Sequence, residues 1–419
     1  MKKSIAVFIT FITMASSVFA FDIGKRFFEI HLNDSFKFTN NVFALDDVLK
    51  ETFVIDLNKI NSNLSSGGMD VTTTFTPVYG FNVDFRKGSA GLDYLMDVRG
   101  NLNFSKSIFE FLANGNTLNE TFQASVGATF DSFAVVKSSA GFKIKDAEIL
   151  FSPSVFIPLL HGEVSKCVGK VENNPDGTFK VSADVVADLY SCVDLSIIDN
   201  LYSNALLSSD SVMDSFNGLG FDFGLQVKYP LFKGLKLIGD LQCPVIPGKL
   251  VSKKEFDVSA NYSFNAGDLL NKQTPSASGN QNPEGGTSSE PFKVDQKNAV
   301  AVDKIINRPL VFMAGAEYTP FGNWLVLEGA LGCGFRYPFT DTCKFYMQYN
   351  LAASVNAWHM FACKVKTSYE SEIFSNELGI VINLRVLEID AGVSVSGTEF
   401  LGSFNGSGFG AYLNVCMGF

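Results

Sequence analysis

Tryptophan and histidine are scarce in this chain, and no long apolar run follows its first segment. Only 2 Trp and 3 His occur in 419 residues. His31, His161 and His359 stand far apart, in no metal-ligand spacing and beside no convincing nucleophile. The G-x-S-x-G, P-loop and H-E-x-x-H patterns are absent. The sequence therefore proposes no catalytic residue, cofactor or metal site, and the expectation is a protein that is not an enzyme. Basic residues are too few for a nucleic-acid partner: 33 Lys and Arg against 43 Asp and Glu leave a net charge of −10. The 7 Cys are scattered without a C-x-x-C, which argues against a thiolate metal cluster, and their odd number leaves at least one unpaired. Cys333 and Cys343 lie symmetrically about Pro338 in an expected hairpin, so a disulfide between them is conceivable.

Export is written at the start. Lys2 and Lys3 precede an apolar stretch from Ile5 to Met14, and Val18-Phe19-Ala20 offers a small-residue cleavage site. The stretch is short for a membrane helix, which needs roughly 20 apolar residues. Residues 1–20 read as a signal peptide and 21–419 as one domain.

Apolar side chains recur at every second position. From Phe27 to Thr39, Phe28, Ile30, Leu32, Phe36 and Phe38 share one face, while Glu29, His31, Asn33, Ser35 and Lys37 share the other. The pattern returns from Val71 to Phe85 and from Leu92 to Phe104, then in further segments to the end. There Phe409, Ala411, Leu413, Val415, Met417 and Phe419 alternate with Gly410, Tyr412, Asn414 and Cys416. Phe is heavily used, with 41 residues, many near segment ends. A soluble sandwich alternates too, hiding its apolar faces between two sheets. Four features favour a membrane barrel instead: segments of about 10 to 14 residues, aromatics at their ends, short turns alternating with longer loops, and export with a terminal Phe. Only a closed barrel satisfies every strand hydrogen bond in lipid. The expected fold is all-β, a transmembrane antiparallel barrel of about 14–16 strands. The limits of the proline-broken stretch from Gly141 to Val171 stay open.

Three segments change period. Residues 44–64, 105–113 and 196–213 read as helical insertions, the first placed to cap or enter the lumen. Residues 267–295, rich in Ser, Gly, Asn and Pro, read as a long mobile loop.

The signal peptide, the phrase RPLVFMAGAEYTPFGNW from Arg308 to Trp324, the GCGFRYPF segment from Gly332 to Phe339 and the terminal strand resemble a spirochaete-type outer-membrane barrel, broadly porin-like or fatty-acid-transporter-like. The resemblance is one of architecture. It implies outer-membrane lipids as surroundings, a barrel assembly machinery reading residues 408–419, and a small-molecule solute. The plug that fatty-acid transporters carry at the N-terminus is expected to be absent here, so that any plugging falls to residues 44–64 or another inserted helix. Strand phase then sends Asp84, Asp93, Asp97, Arg99, Asp257, Glu317, Glu328, Arg336, Lys364, Lys366 and Arg385 to the lumen as pore-lining candidates. A passive channel for small polar or hydrophobic solutes is the first expectation. A non-conducting, surface-interaction barrel is the alternative, and an outer-membrane lipase or protease the enzymatic one.

Overall fold

The computed structural model describes residues 27–42, 58, 60–61, 64, 66–86, 88–115, 121–174, 178–196, 218–265, 292–341, 343–357, 360–370, 373–384, 386–397, 400–404 and 406–419. The expected signal peptide, Arg385 and most of the segments at 44–64 and 196–213 lie outside these residues. The strands are β1 (Phe28–Asn40), β2 (Met69–Phe75), β3 (Val78–Phe85), β4 (Gly88–Phe104), β5 (Thr121–Ala124), β6 (Val126–Ile144), β7 (Ala147–Asn173), β8 (Thr178–Ser191), β9 (Gly220–Phe232), β10 (Leu235–Ile246) and β11 (Gly248–Asn265). They continue as β12 (Phe292–Gln296), β13 (Val300–Ile306), β14 (Leu310–Tyr318), β15 (Pro320–Asn323), β16 (Leu325–Arg336), β17 (Lys344–Ala357), β18 (Phe361–Glu370), β19 (Ile373–Asn383), β20 (Leu387–Gly397) and β21 (Gly408–Gly418).

The last strand closes the sheet on the first. β21 runs antiparallel to β1 from Glu29↔Gly418 to Thr39↔Gly408. Phe28 and Phe419 exchange backbone hydrogen bonds, each 3.0 Å. The result is a closed antiparallel barrel of 14 strands. Closure removes the open edge that an apolar terminal strand would otherwise leave.

Outward positions carry the apolar residues. Ile30, Leu32, Leu102, Leu331, Leu378, Val393 and Met417 all stand exposed, while His31, Ser368, Ser375, Ser394 and Ser396 are buried on the opposite face. This inverts the pattern of a water-soluble protein. Each large apolar side chain left in water forfeits about 1.5–3 kcal/mol, so such a wall suits an apolar medium. Among the described residues no helix is long and apolar enough to cross a membrane.

One half of the wall is regular. From β16 through β21 to β1, each strand pairs with the next without a register shift. The other half is interrupted. β7 pairs with β9 along Glu148–Phe156 and with β8 along Leu160–Asn173, so β8 and β9 occupy successive stretches of the same side of β7. β10 runs into β11 across Pro247, and β13 into β14 across Asn307, Arg308 and Pro309. Prolines suit such gaps, because they cannot donate to a strand ladder. The upper pieces β7, β8, β11 and β12 with β13 form an extension above the closed wall. The Gly141–Val171 stretch resolves as one hairpin, β6 and β7, with its irregularity at Leu159, which lacks a partner between Ser132↔Leu160 and Phe133↔Pro158.

Two other expectations need correcting. Residues 267–291 of the expected mobile loop lie outside the described residues, while Phe292 to Asp295 belong to β12, paired with β11. Cys333 and Cys343 do not face each other. The β16–β17 register is centred on Thr340, not Pro338, so Cys333 lies opposite Met347. Cys343 sits in the turn, and no disulfide joins it to Cys333. The helix expected at 105–113 is present as α1 (Lys106–Asn114), although Ser105 makes no side-chain cap. A further short helix, α2 (Phe400–Phe404), lies between β20 and β21.

Candidate functional site: the lumenal constriction

The interruption at mid-wall is where polar groups converge. Arg99 on β4 lies beside Asp131 on β6, and Asp131 beside His161 on β7. His161 Nδ1 donates to Asp131 Oδ1 at 2.7 Å, since a carboxylate can only accept. Its Nε2 is 3.5 Å from Glu163 Oε2, and Lys304 Nζ reaches Glu163 Oε1 at 2.5 Å. The same ammonium stands 3.8 Å from the centre of the Tyr190 ring.

A strap completes the cluster. Tyr337, just past β16, donates its hydroxyl to the second oxygen of Asp131 at 2.6 Å. β7, β9, β10 and β14 separate those two strands around the wall, so the contact crosses the interior. Asn307 Nδ2 holds the carbonyl of Pro338 at 2.9 Å. Tyr337 and Phe339 have φ of 47° and 65°, the left-handed region that L side chains enter at a cost. The strained turn is thus pinned from both sides. Burial first, then the Asp131 charge, holds the Tyr337 phenol above its ordinary range, so it stays a donor.

An apolar knot packs against the strap. Phe133, Val135, Phe156, Cys192, Leu250 and Ile306 are buried together, with Tyr337 and Tyr190 against them. Phe156 is fully enclosed because its neighbours lack side chains. A Cβ at Gly220 would come within 2.2 Å of its ring, and one at Gly248 within 2.8 Å. Close by, Arg308 Nη1 donates to Asp222 at 2.7 Å, and both residues are buried. That pair ties β9 to the start of β14 where the staves break.

The residues expected in the lumen are placed as follows. Asp84 sits at the lower end of β3, its amide bonded to Phe27. Asp93 contacts His31 Nε2 at 3.0 Å. Asp97 stands opposite Phe133, and Arg99 lies between Thr74 and Asp131. Glu317 pairs with Lys236 at 2.7 Å and faces Glu328 in register. The Arg336 guanidinium lies over the Tyr346 ring at 5.6 Å. Lys364 and Lys366 stand opposite Gly379 and Glu377. Asp257 is separate, on β11 in the extension, 3.0 Å from Lys297.

Asp131, His161, Glu163, Lys304 and Tyr337 were not anticipated. Prolines blurred the phase of the segment holding His161. Tyr337 lies in a hairpin tip, where alternation carries no information. The one available signal was an aromatic-flanked proline, Tyr337-Pro338-Phe339, between two strands.

No protein-family model matches the chain, and no curated protein matches it by sequence. Among solved structures, the toluene transporter TodX of Pseudomonas putida aligns over 95% of this chain and 91% of that chain, at 9% identity and a TM-score of 0.49. The toluene transporter TbuX of Ralstonia pickettii covers the same shares at 9% identity and a TM-score of 0.46. A FadL homologue of Pseudomonas aeruginosa aligns over 94% of this chain and 90% of that chain, at 11% identity and 0.41. The barrel itself rests on the hydrogen bonds that close β1 on β21.

Proposed function

We propose that the protein is an outer-membrane channel that lets small polar or hydrophobic solutes pass without energy input. The observation that carries this reading is the closed wall, apolar outside and ionic inside. The Tyr337 strap and its charged neighbours form the constriction that solutes must pass. Outer-membrane lipid would cover the outward residues, and the assembly machinery would read the strand ending at Phe419. The test is planar-bilayer recording of the folded protein, with discrete conductance steps as the expected result. A second reading, a non-conducting barrel that presents its extension to partners, draws on the strap itself, which occupies the interior. A folded barrel silent at all voltages would favour it.

A further inference from the structure

A row of donors runs across the inner wall with no ion-pair partner among the described residues. In register, Lys37 on β1 lies opposite Thr74 on β2, and Thr74 opposite Arg99 on β4. Neither carboxylate nearest to Arg99 in the sheet forms an ion pair with it among the described residues. Asp131, beside Arg99, is taken on both oxygens by His161 and Tyr337. Asp97, two positions before Arg99 on the same face, makes no ion pair with it among the described residues. Lys37 has Gly410, which carries no side chain, on its other flank. Arg99 Nε is buried and has no acceptor. A buried donor left unmatched is costly, and an arginine fork presents parallel donors shaped for a planar carboxylate. From the wall beyond, Arg336 adds a second cation, and both guanidinium charges act on the Tyr337 phenol.

We infer that Arg99, with the Thr74 hydroxyl and the Lys37 ammonium beside it, forms a binding site for a small carboxylate-bearing solute at the constriction. The carboxylate takes the fork of Arg99, and the rest of the solute lies towards Tyr337 and Tyr346. This deepens the channel reading and rests on it. A solute held on one wall of a narrow pore dwells there and interrupts ion flow.

The test compares block of single-channel current by benzoate, neutral benzamide and inorganic phosphate. Benzoate should half-block the wild type at a concentration about tenfold lower than either of the others, a factor worth about 1.4 kcal/mol. Arg99→Gln should abolish that advantage, and Arg99→Lys, which keeps charge but loses the fork, should recover only part of it. Heat-modifiable gel mobility establishes that each variant folds. Unchanged benzoate block in Arg99→Gln, or equal block by phosphate in the wild type, overturns the site. If the wild type carries no current, the channel reading fails, and calorimetric titration of benzoate into the detergent-folded protein decides the site alone. Binding lost in Arg99→Gln supports it; no binding, or equal binding in the variant, overturns it.

Discussion

The two halves of the wall are built on different rules. From β16 round to β1, alternation is strict and no strand is broken, and small residues make room for large ones. A Cβ at Gly392 would fall 2.3 Å from the Tyr412 ring, whose hydroxyl donates to Asp390 at 2.8 Å. From β7 to β14 the staves break, prolines mark the gaps, and the interior is filled by an apolar knot and a polar cluster. The regular half needs only to be a wall. The interrupted half sacrifices ladder hydrogen bonds and gains a place to fix side chains inside the lumen.

Substitutions in the two halves should separate these rules. Phe156→Ala should cost about 3–5 kcal/mol in urea titrations of folding into vesicles, because the enclosed ring leaves a cavity. A loss below about 1 kcal/mol would mean the knot is loose. Arg308→Met should cost about 3–5 kcal/mol by leaving Asp222 buried and unpaired; the double variant with Asp222→Leu should recover much of it. In the regular half, Gly392→Val should cost about 1–3 kcal/mol by crowding Tyr412, and Tyr412→Ala should relieve that crowding. Reduction should do least. With no disulfide among the cysteines, dithiothreitol should leave gel mobility and the unfolding midpoint unchanged. A shift would revive a Cys333–Cys343 bridge.

The regular half was legible because period-two alternation and strand register are one constraint. A one-residue slip would send Leu413 inward and Asn414 outward. The terminal Phe419 was legible for the same reason. The cluster around Tyr337 was not. Tyr337 reaches Asp131 across 206 residues of sequence, and no local pattern encodes that contact. Asp131 and His161 do alternate correctly, but Leu159 shifts the register between them and their β7 neighbours. The division of β8 from β9 was hidden too, since each looks like an independent strand until both pair with β7.

The strap is the most direct point of attack. Tyr337→Gly removes the ring and its bond to Asp131, while glycine accepts the positive φ of that position. Single-channel conductance of this variant should exceed that of the wild type, with heat-modifiable mobility unchanged. Equal conductance in the two proteins, both folded, would contradict a constriction at Tyr337.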